Sequence, residues 1–166
     1  VTNLRRRVIP RPSYVEGEAA TTGPQGTPVR TLTDKTLDPA PFASTAVNTT
    51  NPPAPGSAPV FSVAVGKDGD LAKPVNLFKV GIITGVIGEQ PPKHPSVHHL
   101  YVVARGKDGR QQKAKSLTLR DDTSFQSFLF MANHVARVDF YVIDTYTGAD
   151  RQGPYTVDQV EFFALT

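Results

Sequence analysis

The chain contains no cysteine, no tryptophan and a single methionine, and none of its apolar runs approaches the roughly 18 to 20 residues that span a bilayer as a helix. Without cysteine there can be no disulfide, thiolate metal site, cysteine nucleophile or iron–sulfur cluster, and the redox compartment is left open. The start lacks the charged-then-apolar layout of a signal peptide, so a soluble protein with no membrane partner is expected. Catalytic signatures are missing as well. There is no Gly-x-Ser-x-Gly elbow, P-loop or dinucleotide fingerprint, and Gly81-Ile82-Ile83-Thr84-Gly85 is too apolar to cradle phosphate. No enzymatic activity and no cofactor are expected.

Proline and aromatic residues are present but unevenly placed. Ten of the 15 prolines fall in the first 59 of 166 residues, a stretch that holds only two aromatics, Tyr14 and Phe42. Each proline removes a backbone donor and disfavours helix at the residue before it, so no helix or central strand of ordinary length fits between them. Nor can such a stretch bury enough apolar surface to offset ordering costs of roughly 1 to 2 kcal/mol per residue. Residues 1–59 therefore read as an extended arm that orders only by lying on something else, with Val8, Ile9, Val29, Leu32, Leu37 and Phe42 as its apolar anchors.

From Val60 the pattern changes to period two. Phe61, Val63 and Val65 alternate with Ser62 and Ala64, and a Gly-Lys-Asp-Gly turn follows at Gly66 to Gly69. Val75 to Ile87 reads as a buried strand in which Gly81 and Gly85 mark a bend or bulge. After a polar loop from Gly88 to Ser96, His98 to Arg105 leads into a second Gly-Lys-Asp-Gly turn at Gly106 to Gly109 and a returning polar strand, the clearest hairpin in the chain. Phe125, Phe128 and Phe130 form an aromatic strand. Val138, Phe140 and Val142 alternate with Asp139, Tyr141 and Ile143, and Tyr155 to Leu165 closes the chain after a loop from Thr147 to Pro154. Seven or eight short strands at spacings near ten residues predict an all-β, antiparallel sandwich or jelly roll over residues 60–166. Val63 to Lys73 matches Val103 to Lys113 at seven of eleven positions; turn chemistry used twice explains this more simply than a duplicated hairpin.

Chemistry-bearing side chains are scattered. His98 and His99 are adjacent on a predicted strand, so they should point to opposite faces and cannot share an ion without a bulge; His94 sits in a proline-rich loop, and no spacing supports zinc. No metal site is expected. Asp68, Asp70, Asp108, Asp121 and Asp122 all fall in turns, where aspartate bonds its own backbone, although one calcium held by loop carbonyls and two aspartates stays open. Asp144 and Asp158 lie on or just past strands and could face a ligand. The net charge of +3 is mild, but Arg5, Arg6, Arg7 and Arg11 cluster at the tip of the arm. They could neutralise phosphates; without interleaved aromatics for base stacking, a clamp on an acidic protein surface is the better use, and nucleic acid is disfavoured as a partner.

A proline-rich N-terminal arm followed by a cysteine-free β-sandwich of about 107 residues resembles the cement or decoration proteins that bind the outside of tailed-phage capsids. The resemblance is one of layout. It implies a non-enzymatic virion subunit on the capsid exterior, whose arm locks onto the major capsid protein or other virion subunits while the sandwich forms dimers or trimers. Multivalent display would turn weak contacts into tight attachment. A second resemblance covers Val138 to Ile143 and Tyr155 to Phe162, which look like late strands of jelly-roll carbohydrate-binding modules. That alternative implies an extracellular glycan binder on a tail fibre or secreted enzyme, with Tyr101, Tyr141, Asp144, Tyr146 and Tyr155 as the pool for a sugar face. A minor coat or baseplate subunit is a third possibility.

Overall fold

Alternation of apolar and polar residues from Phe61 onward favours a two-layered solution, because each strand has one face to bury and the described residues supply no helix to cover it. The computed structural model describes residues 42–164 apart from 49, 68, 69, 71, 87, 90, 91 and 149, and all its elements are strands. They are β1 (Phe42–Ser44), β2 (Phe61–Ala64), β3 (Val75–Thr84), β4 (Ser96–Arg105), β5 (Gln111–Thr118), β6 (Gln126–Val135), β7 (Arg137–Tyr146) and β8 (Tyr155–Ala164). Two four-stranded sheets result, in the orders β1-β8-β3-β6 and β2-β7-β4-β5, and every pairing is antiparallel. Strand one pairs with eight, two with seven, three with six and four with five, which is the pattern of a long hairpin rolled over itself: a jelly roll.

The inward residues fill the space between the sheets. Phe61 on β2 stacks on Phe140 of β7 with ring centroids 4.6 Å apart, and Phe140 meets Phe162 of β8 at 6.1 Å, so aromatic contact bridges the two layers. Leu77, Ile82, Leu100, Leu119 and Phe130 complete the set of largest fully buried side chains. Each contributes roughly 1.5 to 3 kcal/mol by leaving water. By contrast β5 is an edge strand whose sequence Gln-Gln-Lys-Ala-Lys-Ser-Leu-Thr commits only Leu117 to the core.

Both Gly-Lys-Asp-Gly segments bear on turns, but in different settings. Gly106 to Gly109 closes the β4–β5 hairpin, with Gly109 at φ 79° and the Arg110 N–H bonded to Asp108 Oδ1. The segment containing Lys67 and Asp70 instead begins a crossover from β2 in one sheet to β3 in the other, so the repeated sequence does not correspond to a repeated hairpin.

Three expectations are corrected. Gly81 marks no bend: the register shifts of β3 lie between Val75 and Leu77, between Leu77 and Lys79 and between Ile83 and Thr84, and Gly81 instead leaves room for the Phe125 ring, which a Cβ would meet at 2.1 Å. Phe125 itself precedes β6 and is 39% exposed, so it is no part of the aromatic strand. The arm boundary at residue 59 falls inside the folded unit. Phe42–Ser44 pairs with β8, Asn48 N–H bonds the Val142 carbonyl, and Asn51 Oδ1 accepts from Ser116 Oγ at 2.9 Å. The proline-rich sequence forbids regular structure between residues 45 and 60 without forbidding packing, since its carbonyls and side chains still find partners on the sheets. The other arm residues singled out, Arg5, Arg6, Arg7, Val8, Ile9, Arg11, Val29, Leu32 and Leu37, lie outside the described residues.

Candidate functional site

The outward face of the β2-β7-β4-β5 sheet carries most of the candidate chemistry, because β4 and β7 are its two central strands. Tyr101 of β4 stands opposite Tyr141 of β7, their rings edge-to-face at 6.4 Å. Above them arches the segment from Pro52 to Ser57, folded on itself by the Ser57 N–H and hydroxyl, both donating to the Ala54 carbonyl. Between arch and sheet lies a groove of about 460 Å³, walled by prolines on one side and by Tyr101, Arg105, Gln111 and Tyr141 on the other.

Arg105, the charged residue in the groove wall, is paired with a buried carboxylate. Asp139 is only 3% exposed at its side chain, accepts from Ser62 Oγ at 2.6 Å and from Arg105 Nε at 2.8 Å, and has Arg137 Nε 2.9 Å from Oδ1 without the alignment of a hydrogen bond. That carboxylate, by its hydrogen bond, holds Arg105 above the ordinary guanidinium value despite partial burial. Arg105 also donates to the Gly109 carbonyl, so its head is fixed while one edge faces the groove.

Further along the same two strands, the register slips twice. Val97 faces Thr145, His99 faces Asp144, and Leu100 faces Val142. One extra residue, His98, is therefore accommodated on β4, and one extra residue, Ile143, on β7, and the two irregularities cancel. Val97 and Leu100 both point into the core, 0% and 2% exposed, so His98 and His99 between them both turn outward. The opposite-face expectation for these histidines thus fails for the one reason that could defeat it. Their rings lie 3.8 Å apart, and the Tyr146 ring stacks on His98 at 4.1 Å with its hydroxyl donating to the Leu119 carbonyl. Asp144 accepts from the His99 N–H at 3.0 Å; its two oxygens lie 2.7 and 2.9 Å from His99 Nδ1, and Oδ1 is 3.5 Å from His98 Nδ1.

The pool of residues proposed for a sugar face is consequently divided. Tyr101 and Tyr141 share the groove, although Tyr141 is buried; Asp144 and Tyr146 belong to the histidine cluster. Tyr155 is on the other sheet, buried, with its hydroxyl given to the Ala46 carbonyl at 2.5 Å, and burial pushes its pKa up to about 12. It cannot contribute to that face. Asp158 on β8 is buried as well.

Three of the turn aspartates bond their own backbone, Asp121 does not, and Asp68 lies outside the described residues. Asp70, Asp108 and Asp122 accept backbone N–H groups two residues on. Asp121 is clamped by the Arg151 guanidinium, which holds its carboxyl below the usual carboxylate range with help from Ser96, and so ties the loop before β8 to the turn before β6. Of the remaining histidines, His94 pairs with Glu89 at 2.9 Å, and His134 ends β6 in the left-handed region at φ 54°. The histidine pair is the feature missed by alternation alone. Its signal was the phase slip from Val97 to Leu100, a spacing of three where Leu100, Val102 and Ala104 keep two.

No protein-family model matches the chain, and no curated protein is similar to it.

Proposed function

We propose that the protein is a non-enzymatic virion structural subunit that decorates or cements a phage capsid, using its N-terminal segment and one face of its jelly roll to hold neighbouring subunits. The observation that carries this reading is the exposed apolar row on the outer strand of the β1-β8-β3-β6 sheet: among the described residues Leu129 is 61% and Met131 51% exposed on one face of β6, with Phe125 just before them. Large apolar side chains grouped on a surface mark interaction sites. The edge itself is blunted, since Lys115 Nζ donates to the Leu129 carbonyl at 2.8 Å, so the row invites a face-on contact with a folded neighbour rather than addition of a strand. Double-sheet jelly rolls serve both capsid and lectin roles, which fits a shell component. The arginine cluster from Arg5 to Arg11 supplies a second, electrostatic contact on a different part of the chain.

A glycan-binding module is the second reading, and the groove beside Tyr101, Arg105 and Gln111 favours it. One pair of experiments separates the two. Tagged full-length protein is expressed in its native setting, particles are separated on a density gradient and imaged by electron microscopy, and the purified protein is run on a glycan array. The capsid reading expects the chain on shells at symmetry-related positions, released by Leu129→Asp with Met131→Asp and by charge reversal of Arg5, Arg6 and Arg7, with no saturable sugar binding. Protein that stays off every particle yet binds a glycan saturably overturns it.

A further inference from the structure

We propose that His98, His99 and Asp144 form a binding site for a divalent first-row transition ion, of which Zn²⁺ is the representative. The site depends on the paired irregularities of β4 and β7. An uninterrupted ladder would send one of two adjacent histidines inward; the extra residue on β4 turns both outward, and the extra residue on β7 restores the register beyond them while leaving Asp144 opposite His99.

The donor set is one of transition-metal type. Two imidazoles and a carboxylate suit zinc, iron, nickel or copper, whereas calcium and magnesium take oxygen ligands almost entirely. One donor atom from each residue lies within 4.8 Å of the others. Around a tetrahedral ion with bonds near 2.05 Å, ligand atoms sit about 3.3 Å apart. His98 Nδ1 to Asp144 Oδ1 is already 3.5 Å. His99 Nδ1 to the same oxygen is 2.7 Å, a hydrogen-bond separation that must open by roughly half an ångström when an ion replaces the shared proton. Asp144, half exposed, has the freedom to make that adjustment. Each ligating imidazole then keeps its remaining proton on Nε2, and both rings stay neutral.

The surroundings hold the donors in place. Tyr146 lies flat on His98 and is itself anchored through the Leu119 carbonyl, while the His99 N–H fixes one Asp144 oxygen. The side chains of His98 and His99 are about one third exposed and that of Asp144 half exposed, so the remaining coordination positions face solvent. Three protein donors with an open side can accept water or a donor from a neighbouring molecule, and an ion held this way on the surface can join two subunits.

The test uses the full-length protein with Zn²⁺ alone, followed by calorimetry, and Co²⁺ alone, followed by visible absorption. One ion per chain is expected, with cobalt ligand-field bands and a Zn²⁺-dependent rise in melting temperature that a chelator reverses. Asp144→Asn keeps an acceptor for the His99 N–H, and His98→Phe keeps a ring against Tyr146, so both should fold. Each should weaken Zn²⁺ at least tenfold and abolish the cobalt bands, while His94→Gln and His134→Gln leave them unchanged. Zn²⁺ binding that survives Asp144→Asn and His98→Phe with unaltered affinity, or is absent up to millimolar Zn²⁺, overturns the assignment.

Discussion

Tyr155 shows how a single side chain can serve the fold at a position where the resemblance to sugar-binding jelly rolls implies a ligand contact. Its ring is buried in the core, its hydroxyl donates to the Ala46 carbonyl, and desolvation of the phenolate pushes its pKa up to about 12. In the unfolded chain a tyrosine titrates near 10, so the folded state favours the protonated form. The stabilisation is therefore fully present below about pH 10 and is lost as pH rises through about 12, a difference of roughly 2 to 3 kcal/mol. Denaturant melts of the wild type at pH 8 and at stepped pH values above 10 should show that decline. Tyr155→Phe should cost about 1 kcal/mol at pH 8, where the Ala46 carbonyl loses its partner, and should flatten the alkaline decline. A Tyr155→Phe profile that parallels the wild type above pH 10 would show that another group governs the transition. Asp139 makes the same point in polar form: a carboxylate on the outward face of β7 is legible, but its capture by Ser62, Arg105 and Arg137 depends on strands brought alongside it.

Among the elements, β3 and β6 form a sheet surface whose local shape is set by one absent side chain. Phe125 lies on Gly81, and its ring also meets Phe163 edge-to-face at 6.4 Å, while Lys79 Nζ sits 4.6 Å from the Phe163 ring centroid. A methyl group at position 81 would occupy the volume of the Phe125 ring. Gly81→Ala is expected to lower stability by about 1 to 2 kcal/mol, within the range for inserting atoms into filled space. The same substitution in a Phe125→Ala background should be close to neutral, because an alanine at 125 no longer reaches that volume. Thermal melts of the four proteins in this cycle check the coupling, and additive losses would mean that Gly81 is required for backbone reasons instead. Alternation identified β3 and β6 as strands from Val75 and from the phenylalanines onward, yet assigned Gly81 to a bend and Phe125 to the strand. Both errors share a cause: a glycine in a strand reads alike whether it relieves the backbone or accepts a ring from its neighbour.

On the scale of the whole molecule, the folded unit reaches back to Phe42, well into the proline-rich stretch. Residues 42–58 supply β1, the Asn48 to Val142 backbone bond, the acceptor for Tyr155 and the arch over Tyr101 and Tyr141. A chain starting at residue 42 should therefore melt about 5 °C or more above one starting at residue 59, since each kilocalorie per mole corresponds to roughly 4 °C for a domain of this size. Equal melting temperatures would mean that the arch and β1 rest on the sandwich without supporting it. The sequence by itself determined the all-β class, the polar character of β5, the Gly106–Gly109 hairpin and the approximate places of the later strands, because each depends on local alternation or turn chemistry. Only the tertiary structure decided that Tyr155 is sealed beneath Ala46, that residues 42–58 join the fold, and that His98 and His99 stand together over Asp144. The physical reason is common to all three. Side-chain direction along a strand counts residues, whereas the place where an extra residue is inserted, or a proline segment finds its partners, is settled by the register of strands far away in the chain.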